Sequence, residues 1–407
     1  MTSELPPPAP GRPRLVHLTT TDMSLDWLLG PQLRAYAEAG YEVVGMSAAG
    51  PHVPALLAMG IAHVDVPGFT RSSRPTHDLR AFFQLVRLLR RVRPDILHTH
   101  NPKPGVLGRI AGRLARVPLV VNTQHGLYAQ PTDRWQRRLP VYAAERVAAA
   151  FGHLELVQNE EDVHTLVHTL KVPRRKVRLL GNGIDLQRFH SEAVGAVDRA
   201  RLRAEWGVTD GEVVCGTVGR LVAEKGIVEL VEAAAMLRSR GVPARLVVVG
   251  PLDTDKGDAL PADFVGLAEA DGVVFTGRRD DMPQCYAAFD LFVSASWREG
   301  FPRAAMEAAA MGLPTVATDI RGNRQVVEPG VTGAMVPVRS AGSLADACAE
   351  LVQHPDVRQR MGEAAARRAM AEFGDGRVIE RTLDAYRLLD ASRRRRRRGV
   401  AGRSVAQ

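Results

Sequence analysis

Thirteen short runs rich in Val, Ile and Leu recur along the chain with helical patterns between them, and this alternation restricts the fold more than any other feature. In the first half they are Leu15–Leu18, Tyr41–Met46, Ile61–Val66, Asp95–His98, Leu119–Asn122, Leu154–Gln158 and Val177–Leu180. In the second half they are Val213–Val218, Arg245–Val249, Val273–Thr276, Leu291–Ser294, Thr315–Ala317 and Ala334–Val338. Unbroken apolar runs are expected of strands buried on both faces of a parallel sheet. Between them lie patterns such as Leu79–Val92, where Phe82, Phe83, Val86, Leu89 and Val92 fall close to helical spacing. The alternation breaks once, between Leu186 and Val208. The predicted fold class is therefore α/β, with two doubly wound Rossmann-like domains at 14–190 and 209–375.

Composition agrees with two buried cores. At about 150 residues per domain, 407 residues predict two or three domains. With 45% hydrophobic and 24% charged residues, disorder of the whole chain is excluded. Cys215, Cys285 and Cys348 are far apart, which excludes a disulfide framework and a cysteine zinc cluster and fits a reducing cytosol. Residues 1–13 are proline-rich and read as a disordered leader, not a signal peptide. No apolar run approaches the roughly 20 residues of a transmembrane helix, so a soluble or peripheral protein is expected.

The net charge of +9 is unevenly placed. Residues 1–185 carry 23 Lys/Arg against 15 Asp/Glu, whereas residues 186–392 carry 24 against 30. Six consecutive arginines, Arg393–Arg398, follow what reads as a last helix, and their mutual repulsion predicts a disordered basic tail over 393–407. Arg87, Arg90, Arg91 and Arg93 crowd one helix end, and Arg109, Arg113 and Arg116 mark another. Such a basic half suggests an anionic partner.

Ligands of open parallel sheets sit at the carboxyl ends of the strands. After Val213–Val218 comes Gly219-Arg220-Leu221-Val222-Ala223-Glu224-Lys225-Gly226 and then a helical pattern. Glycine permits close backbone approach, the helix start presents free N–H groups, and Arg220 and Lys225 add two cations, a combination suited to a diphosphate. After Leu291–Ser294 comes Glu299-Gly300-Phe301-Pro302-Arg303-Ala304-Ala305-Met306-Glu307. Pro302 suits a first helical turn, with Glu299 in the loop before it and Glu307 inside the helix. Two carboxylates there can each accept hydrogen bonds from paired sugar hydroxyls.

GRLVAEKG, then EGFPRAAME, then GNRQVVEPGVTG, in that order and spacing, closely resemble the retaining glycosyltransferases of family 4, which have the GT-B fold of two domains facing each other across a cleft. HTHNPKPG at His98–Gly105, NTQHG at Asn122–Gly126 and GNGID at Gly181–Asp185 are similar to that family's first-domain landmarks. The resemblance implies that Gly219, Arg220 and Lys225 grip the donor diphosphate, that Glu299 binds donor-sugar hydroxyls, and that Glu307 holds the ribose. It further implies that backbone N–H groups of Gly300 and Phe301 meet sugar or phosphate, that Arg278 or Arg279 lies near the base, and that His125 faces the sugar. His125, Glu299, Arg220 and Lys225 are the expected catalytic group, and Lys103, Thr21 and Ser24 the acceptor side. The final helix, 376–392, is expected to return to the first domain.

Two departures from the family stand out. The loop Thr19–Ser24 lacks a glycine pair, and Gln325 stands where relatives often have glutamate. His98, His100 and His125 could imitate a three-histidine zinc site, and Asp253-Thr254-Asp255 resembles the acidic metal motif of another transferase fold; neither is adopted, and no metal or cofactor is expected.

The implied reaction is retaining transfer of a hexosyl group from a nucleoside diphosphate sugar, UDP favoured, to a hydroxyl of a lipid-linked or glycan acceptor in cell-surface glycan synthesis. An anionic membrane surface is an expected partner, nucleic acid is not, and the inner face of the plasma membrane is the expected location. A GT-B epimerase acting on a nucleotide sugar and a basic nucleic-acid-binding protein are the alternatives.

Overall fold

Strands form at all thirteen apolar runs in a computed structural model, which describes residues 11–69, 75–100, 102–253, 258–261 and 263–404. They are β1 (Arg14–Thr21), β2 (Glu42–Ala48), β3 (Ala62–Asp65), β4 (Ile96–His100), β5 (Leu119–Gln124), β6 (Leu154–Val157), β7 (Val177–Leu179), β8 (Val213–Val218), β9 (Ala244–Val249), β10 (Val274–Phe275), β11 (Leu291–Ser294), β12 (Thr315–Thr318) and β13 (Gly333–Val336). All pair in parallel, in two sheets ordered β3-β2-β1-β4-β5-β6-β7 and β10-β9-β8-β11-β12-β13. In each sheet the strand order reverses at a central pair, β1/β4 and β8/β11, and crevices for ligands open at the carboxyl ends of such pairs.

The chain divides into two compact units, Met1–Gly181 with Gly376–Gln407, and Asn182–Asp375. In the first, side chains of β1 alternate between faces. Val16 and Leu18 pack with Leu85 and Leu89 of the helix Pro75–Val92. Leu15, on the opposite face, packs with Leu33, Tyr36 and Tyr386. Tyr386 belongs to the last helix, Asp375–Ser404, which from Gly376 onward is part of this unit. In the second unit Val214 and Val247 pack with Met306 and Phe373 on one face of the sheet, while Cys215, Val248 and Val293 pack with Leu230 and Leu344 on the other.

Three expectations are corrected. The strandless stretch Leu186–Val208 is not a connector: it carries a helix, Ala196–Glu205, and buries Phe189, Leu202 and Trp206 in the second core, the chain passing between units at Gly181 and Asn182. The last helix does not stop before the arginines but runs through them to Ser404, consistent with the high helix propensity of arginine; residues 405–407, like 1–10 of the leader, lie outside the described residues. Arg109 is not on a basic surface. It is fully buried, bonded to Glu145 at 2.5 Å, Glu155 at 2.9 Å and the carbonyl of Gly105 at 2.6 Å. A buried guanidinium requires such compensation, and removal of one partner of a buried pair costs about 3–5 kcal/mol.

Candidate active site

In the second unit the chemistry gathers at the carboxyl ends of β8 and β11. Gly219 follows the end of β8, and its N–H donates to the Val249 carbonyl at 2.9 Å, while the Gly250 N–H donates to the Gly277 carbonyl at 2.9 Å, so the loops after β8, β9 and β10 lie side by side. Lys225 ends a single turn, Ala223–Lys225, and Gly226 follows in the left-handed region at φ +69° before the helix Ile227–Ser239. A Cβ at Gly226 would lie 2.2 Å from the Ala295 carbonyl oxygen, so glycine is required by both backbone angle and space.

That turn aims the Lys225 ammonium at Oε1 of Glu299, the oxygen that also accepts from Ser296 Oγ at 3.0 Å. Below it, Thr318 Oγ1 donates to the Ser296 carbonyl at 2.5 Å, and buried Asn323 donates to the Thr318 carbonyl at 2.9 Å. These bonds fix the loop that carries Glu299. Gly322 lies so close that a Cβ there would sit 2.7 Å from the Glu299 carbonyl oxygen.

Arg220 points differently from Lys225. It donates to Asp253 at 2.6 Å and remains 40% exposed. The acidic triplet after β9 therefore contributes Asp253 as a partner of Arg220 rather than a free turn, while Thr254 and Asp255 lie outside the described residues.

The helix after Glu299 spans Arg303–Ala310, with Pro302 as its cap, one residue earlier in the helix frame than the first-turn expectation. Gly300 and Phe301 precede it, and the Phe301 carbonyl accepts from Asn182 at 3.3 Å. Glu307 accepts from the Tyr286 hydroxyl at 2.8 Å, and Arg303 lies 4.0 Å from its other oxygen. Burial pushes the Glu307 carboxyl above the usual carboxylate range, Arg303 opposing, and burial beside this carboxylate pushes the Tyr286 phenol well up. Burial thus disfavours the ionised form of Glu307, which Arg303 and the Tyr286 hydroxyl partly restore.

Of the two arginines after β10, Arg279 is committed to scaffolding. Its guanidinium bonds both oxygens of Asp281, at 2.8 and 2.7 Å, and Glu205 at 2.6 Å, and the paired carboxylates raise its pKa further. Arg278, 57% exposed, reaches Asp280 at 3.3 Å and is the better placed to meet a ligand. Gln325 bonds the Arg321 carbonyl at 3.2 Å, which closes its own helix turn. A cavity of about 580 Å³ elsewhere in this unit, lined by Arg199, Asp290, Gly312 and Arg358, contains Tyr286 but none of the motif residues.

In the first unit, histidines collect along neighbouring strands: His17 and His98 sit mid-strand in β1 and β4, His100 ends β4, and His125 follows β5. His100 Nδ1 lies 3.0 Å from His125 Nε2, and His100 Nε2 lies 2.9 Å from His17 Nδ1. His98 sits between Tyr386 Oη at 2.5 Å and Thr123 Oγ1 at 2.7 Å. Among the described residues, the set whose ligand atoms come within 4.8 Å of one another is His17, His98 and His100; His125 of the zinc alternative is not in it. Thr21 and Ser24 bond each other at 3.1 Å in the loop after β1. Where a glycine pair was missing, the Asp22 carboxylate ties this loop to the backbone N–H groups of Met23 at 2.9 Å and His52 at 2.7 Å. Lys103 reaches Asp78 at 2.8 Å. Sequence reasoning missed Tyr286, Ser296, Asp22 and His17, and it set Asp253 aside; Tyr286, Asp253, Asp22 and His17 find partners 21 to 83 residues away, whereas Ser296 finds Glu299 three residues on.

Known proteins match this chain along most of its length. Residues 32–188 match the model of Glycosyltransferase Family 4, and residues 212–354 that of the group 1 glycosyl transferases. A UDP-Gal:alpha-D-GlcNAc-diphosphoundecaprenol alpha-1,3-galactosyltransferase of Escherichia coli is 29% identical over 79% of this chain and 82% of its own. A D-inositol 3-phosphate glycosyltransferase of Saccharomonospora viridis is 31% identical over 72% of this chain and 70% of its own. Anabaena Alr3699/HepE, solved in complex with UDP-glucose, superposes with a TM-score of 0.76 at 21% identity, covering 91% of this chain and 99% of that one. The fold, the ordered motifs and these matches agree: the chain belongs to glycosyltransferase family 4 and has the GT-B fold.

Proposed function

We propose that this protein transfers a hexosyl group from a UDP-sugar, with retention, to a hydroxyl of a lipid-linked acceptor in bacterial cell-surface polysaccharide synthesis. The observation that carries the reading is the juxtaposition of Lys225, Glu299 and Ser296 beside the start of the helix Arg303–Ala310. A nucleoside diphosphate leaves with developing negative charge, which Lys225, Arg220 and the N–H groups at that helix start can stabilise as preorganised donors. Protein cations supply that stabilisation, so the reaction is proposed to need no resident metal. Glu299 accepts from sugar hydroxyls, Glu307 from the ribose, and His125 is the sugar-facing group of the first unit. UDP and a diphosphoundecaprenol acceptor stand in the names of the relatives, and they support the same substrate classes here.

Among the described residues no helix is long and apolar enough to cross a membrane, so a lipid-linked acceptor is met at a surface. The helices after β3, β4 and β5 return against the strand direction. Arg90, Arg91, Arg93, Arg113 and Arg116 therefore fall at the amino edge of the sheet, away from His100 and His125. The opposite edge carries the first turns of the helix Trp135–Phe151, where Trp135 is 64% and Leu139 62% exposed, flanked by exposed Arg134 and Arg137. Trp135 and Leu139 border a groove of about 630 Å³ that also includes Arg138, Tyr142 and Arg146. An aromatic and apolar face ringed by arginine suits an anionic bilayer surface, and this face is the proposed membrane contact. Turnover of UDP-hexoses with a polyprenyl-diphosphate sugar acceptor tests the function. Loss of all transfer across that donor series would reject it.

A further inference from the structure

The loops that carry Lys225 and Glu299 leave the second sheet where its strand order reverses. The last register partners of β8 and β11 are Gly216 and Phe292. Beyond them β8 leads toward β9 on one side and β11 toward β12 on the other, so the two loops diverge. The bonds through Thr318 and Asn323 hold the Glu299 loop to the β12 side. How Glu299 stands against Lys225 is therefore not set by the ladder, and a separate tie must set it.

Trp297 makes that tie. Its backbone N–H donates to the Glu224 carbonyl at 2.8 Å, one residue before Lys225. Its indole Nε1–H donates to Glu229 Oε1 at 2.9 Å, in the first turn of the helix Ile227–Ser239. The two anchors lie on either side of Lys225 and the left-handed Gly226. Glu229 is 9% exposed, and its other oxygen, Oε2, is buried with no hydrogen-bond partner. Among the described residues the indole is thus the donor that satisfies this carboxyl group.

A third loop closes on the same ring. Arg339, from the loop after β13, holds its guanidinium carbon 4.0 Å from the Trp297 ring centroid. Its backbone lies in the left-handed region at φ +60°, which a residue with a Cβ rarely adopts. Such a conformation persists where the surroundings over-determine it. The loops after β8, β11 and β13 therefore meet at one indole.

We propose that Trp297 is a positioning residue, clamped by Glu229 and Arg339, that keeps Lys225 and Glu299 at a set separation when a donor opens their ion pair. The inference rests on the reading of Lys225 and Glu299 as donor-binding groups. While the ion pair is closed, it joins the two loops itself. Once the ammonium turns to a diphosphate and the carboxylate to a sugar hydroxyl, that link is lost, and the Trp297 bonds still join the loops. Trp297, Glu229 and Arg339 do not touch the ligand.

The test uses the full-length protein. Trp297→Phe keeps a ring under Arg339 and the backbone bond to Glu224 but deprives Glu229 of its donor. Trp297→Phe with Glu229→Leu removes both partners, so no buried polar group is left unpaired. The double variant should regain melting temperature while kcat/KM for a UDP-hexose stays about 10- to 100-fold down, the scale of a misplacement near 1 Å. If Trp297 merely satisfied Glu229, kcat/KM would return with stability; a value near wild type in either variant overturns the proposal. Amide hydrogen exchange without donor reads the clamp itself. In both variants it should rise across 219–226 and 295–301 and stay at the wild-type level in the rest of the second unit. Exchange unchanged in those loops, or raised throughout the unit, contradicts the proposal. Arg339→Gly serves if the Trp297 variants do not fold. Glycine takes φ +60° freely, so its melting temperature should hold or rise while exchange across 295–301 still increases; unchanged exchange there also counts against the clamp. Exchange needs neither nucleotide nor turnover, so failure of sugar transfer counts against the proposed function and leaves this result readable.

Discussion

Lys225 and Glu299, 74 positions apart in the chain, form an ion pair in which the Lys225 ammonium donates to Oε1 of Glu299. The cation proposed for the diphosphate and the acid proposed for the sugar therefore hold each other. A donor that meets both has to divide this pair between two parts of one ligand. Lys225→Ala should lower transfer by about 10- to 1,000-fold, the range for one preorganised donor, whereas Ser296→Ala, which leaves the ion pair, should cost less. Steady-state kinetics on both variants checks the order; near wild-type turnover in Lys225→Ala refutes the diphosphate assignment.

Glu307 is a case where binding and stability should move apart. Its folded-state pKa is raised by burial, so the folded protein binds its proton more tightly than the unfolded chain does. Stability from this group therefore falls as pH rises through the window between the unfolded value and the raised one, and is lowest where Glu307 is ionised. Glu307→Gln removes that cost and keeps an acceptor for Tyr286. It should hold or raise the melting temperature at pH 7 while weakening UDP-sugar affinity. Wild-type affinity should likewise decline as pH falls through the raised pKa. A variant with normal donor affinity would remove Glu307 from the ribose site.

Metal dependence follows from the same site. With Lys225 and Arg220 as the counter-charges, EDTA should leave transfer within about twofold, whereas loss of activity restored by Mg²⁺ or Mn²⁺ would show that a divalent cation takes part. Arg220 reports separately. Asp253→Asn weakens its partner at 2.6 Å and should alter donor KM more than kcat.

At the proposed membrane face, Trp135→Ser with Leu139→Ser should reduce sedimentation with anionic liposomes and leave transfer to a soluble acceptor analogue intact. Each cation near such a surface contributes about 1 kcal/mol. Truncation after Asp390, which removes Arg393–Arg398, should therefore also weaken liposome binding, and salt should weaken what remains. Unchanged binding by the Trp135/Leu139 variant would move the contact elsewhere.

Local pattern carried the strands and the motif loops because both are encoded by neighbours in sequence. Val213–Val218 and Leu291–Ser294 are read as buried strands from their composition, and a ligand loop after each follows from parallel topology. The partners of each charge are not so encoded. Arg109 sits in a cluster of arginines in the sequence, yet Glu145 and Glu155 draw it inside from 36 and 46 residues away. In the sequence nothing separates Arg279 from Arg278; in the fold Asp281 and Glu205 close on Arg279. His17 lay in an apolar strand with no mark of its own, and only the β1–β4 register brings it to the other histidines. The helix Ala196–Glu205 was hidden because a strandless stretch reads as a break in the pattern even when its apolar residues, Leu202 and Trp206, belong to a core.

The central claim is that a nucleoside diphosphate sugar binds where Lys225 and Glu299 meet, and thermal stabilisation measures it most directly. A ligand that binds only the folded state adds about 2.7 kcal/mol at 100 times its Kd. In a screen of nucleotide sugars, UDP-hexoses should raise the melting temperature of the wild-type protein and do so markedly less for Lys225→Ala. No stabilisation by any nucleoside diphosphate sugar, or equal stabilisation of both proteins, would contradict the account.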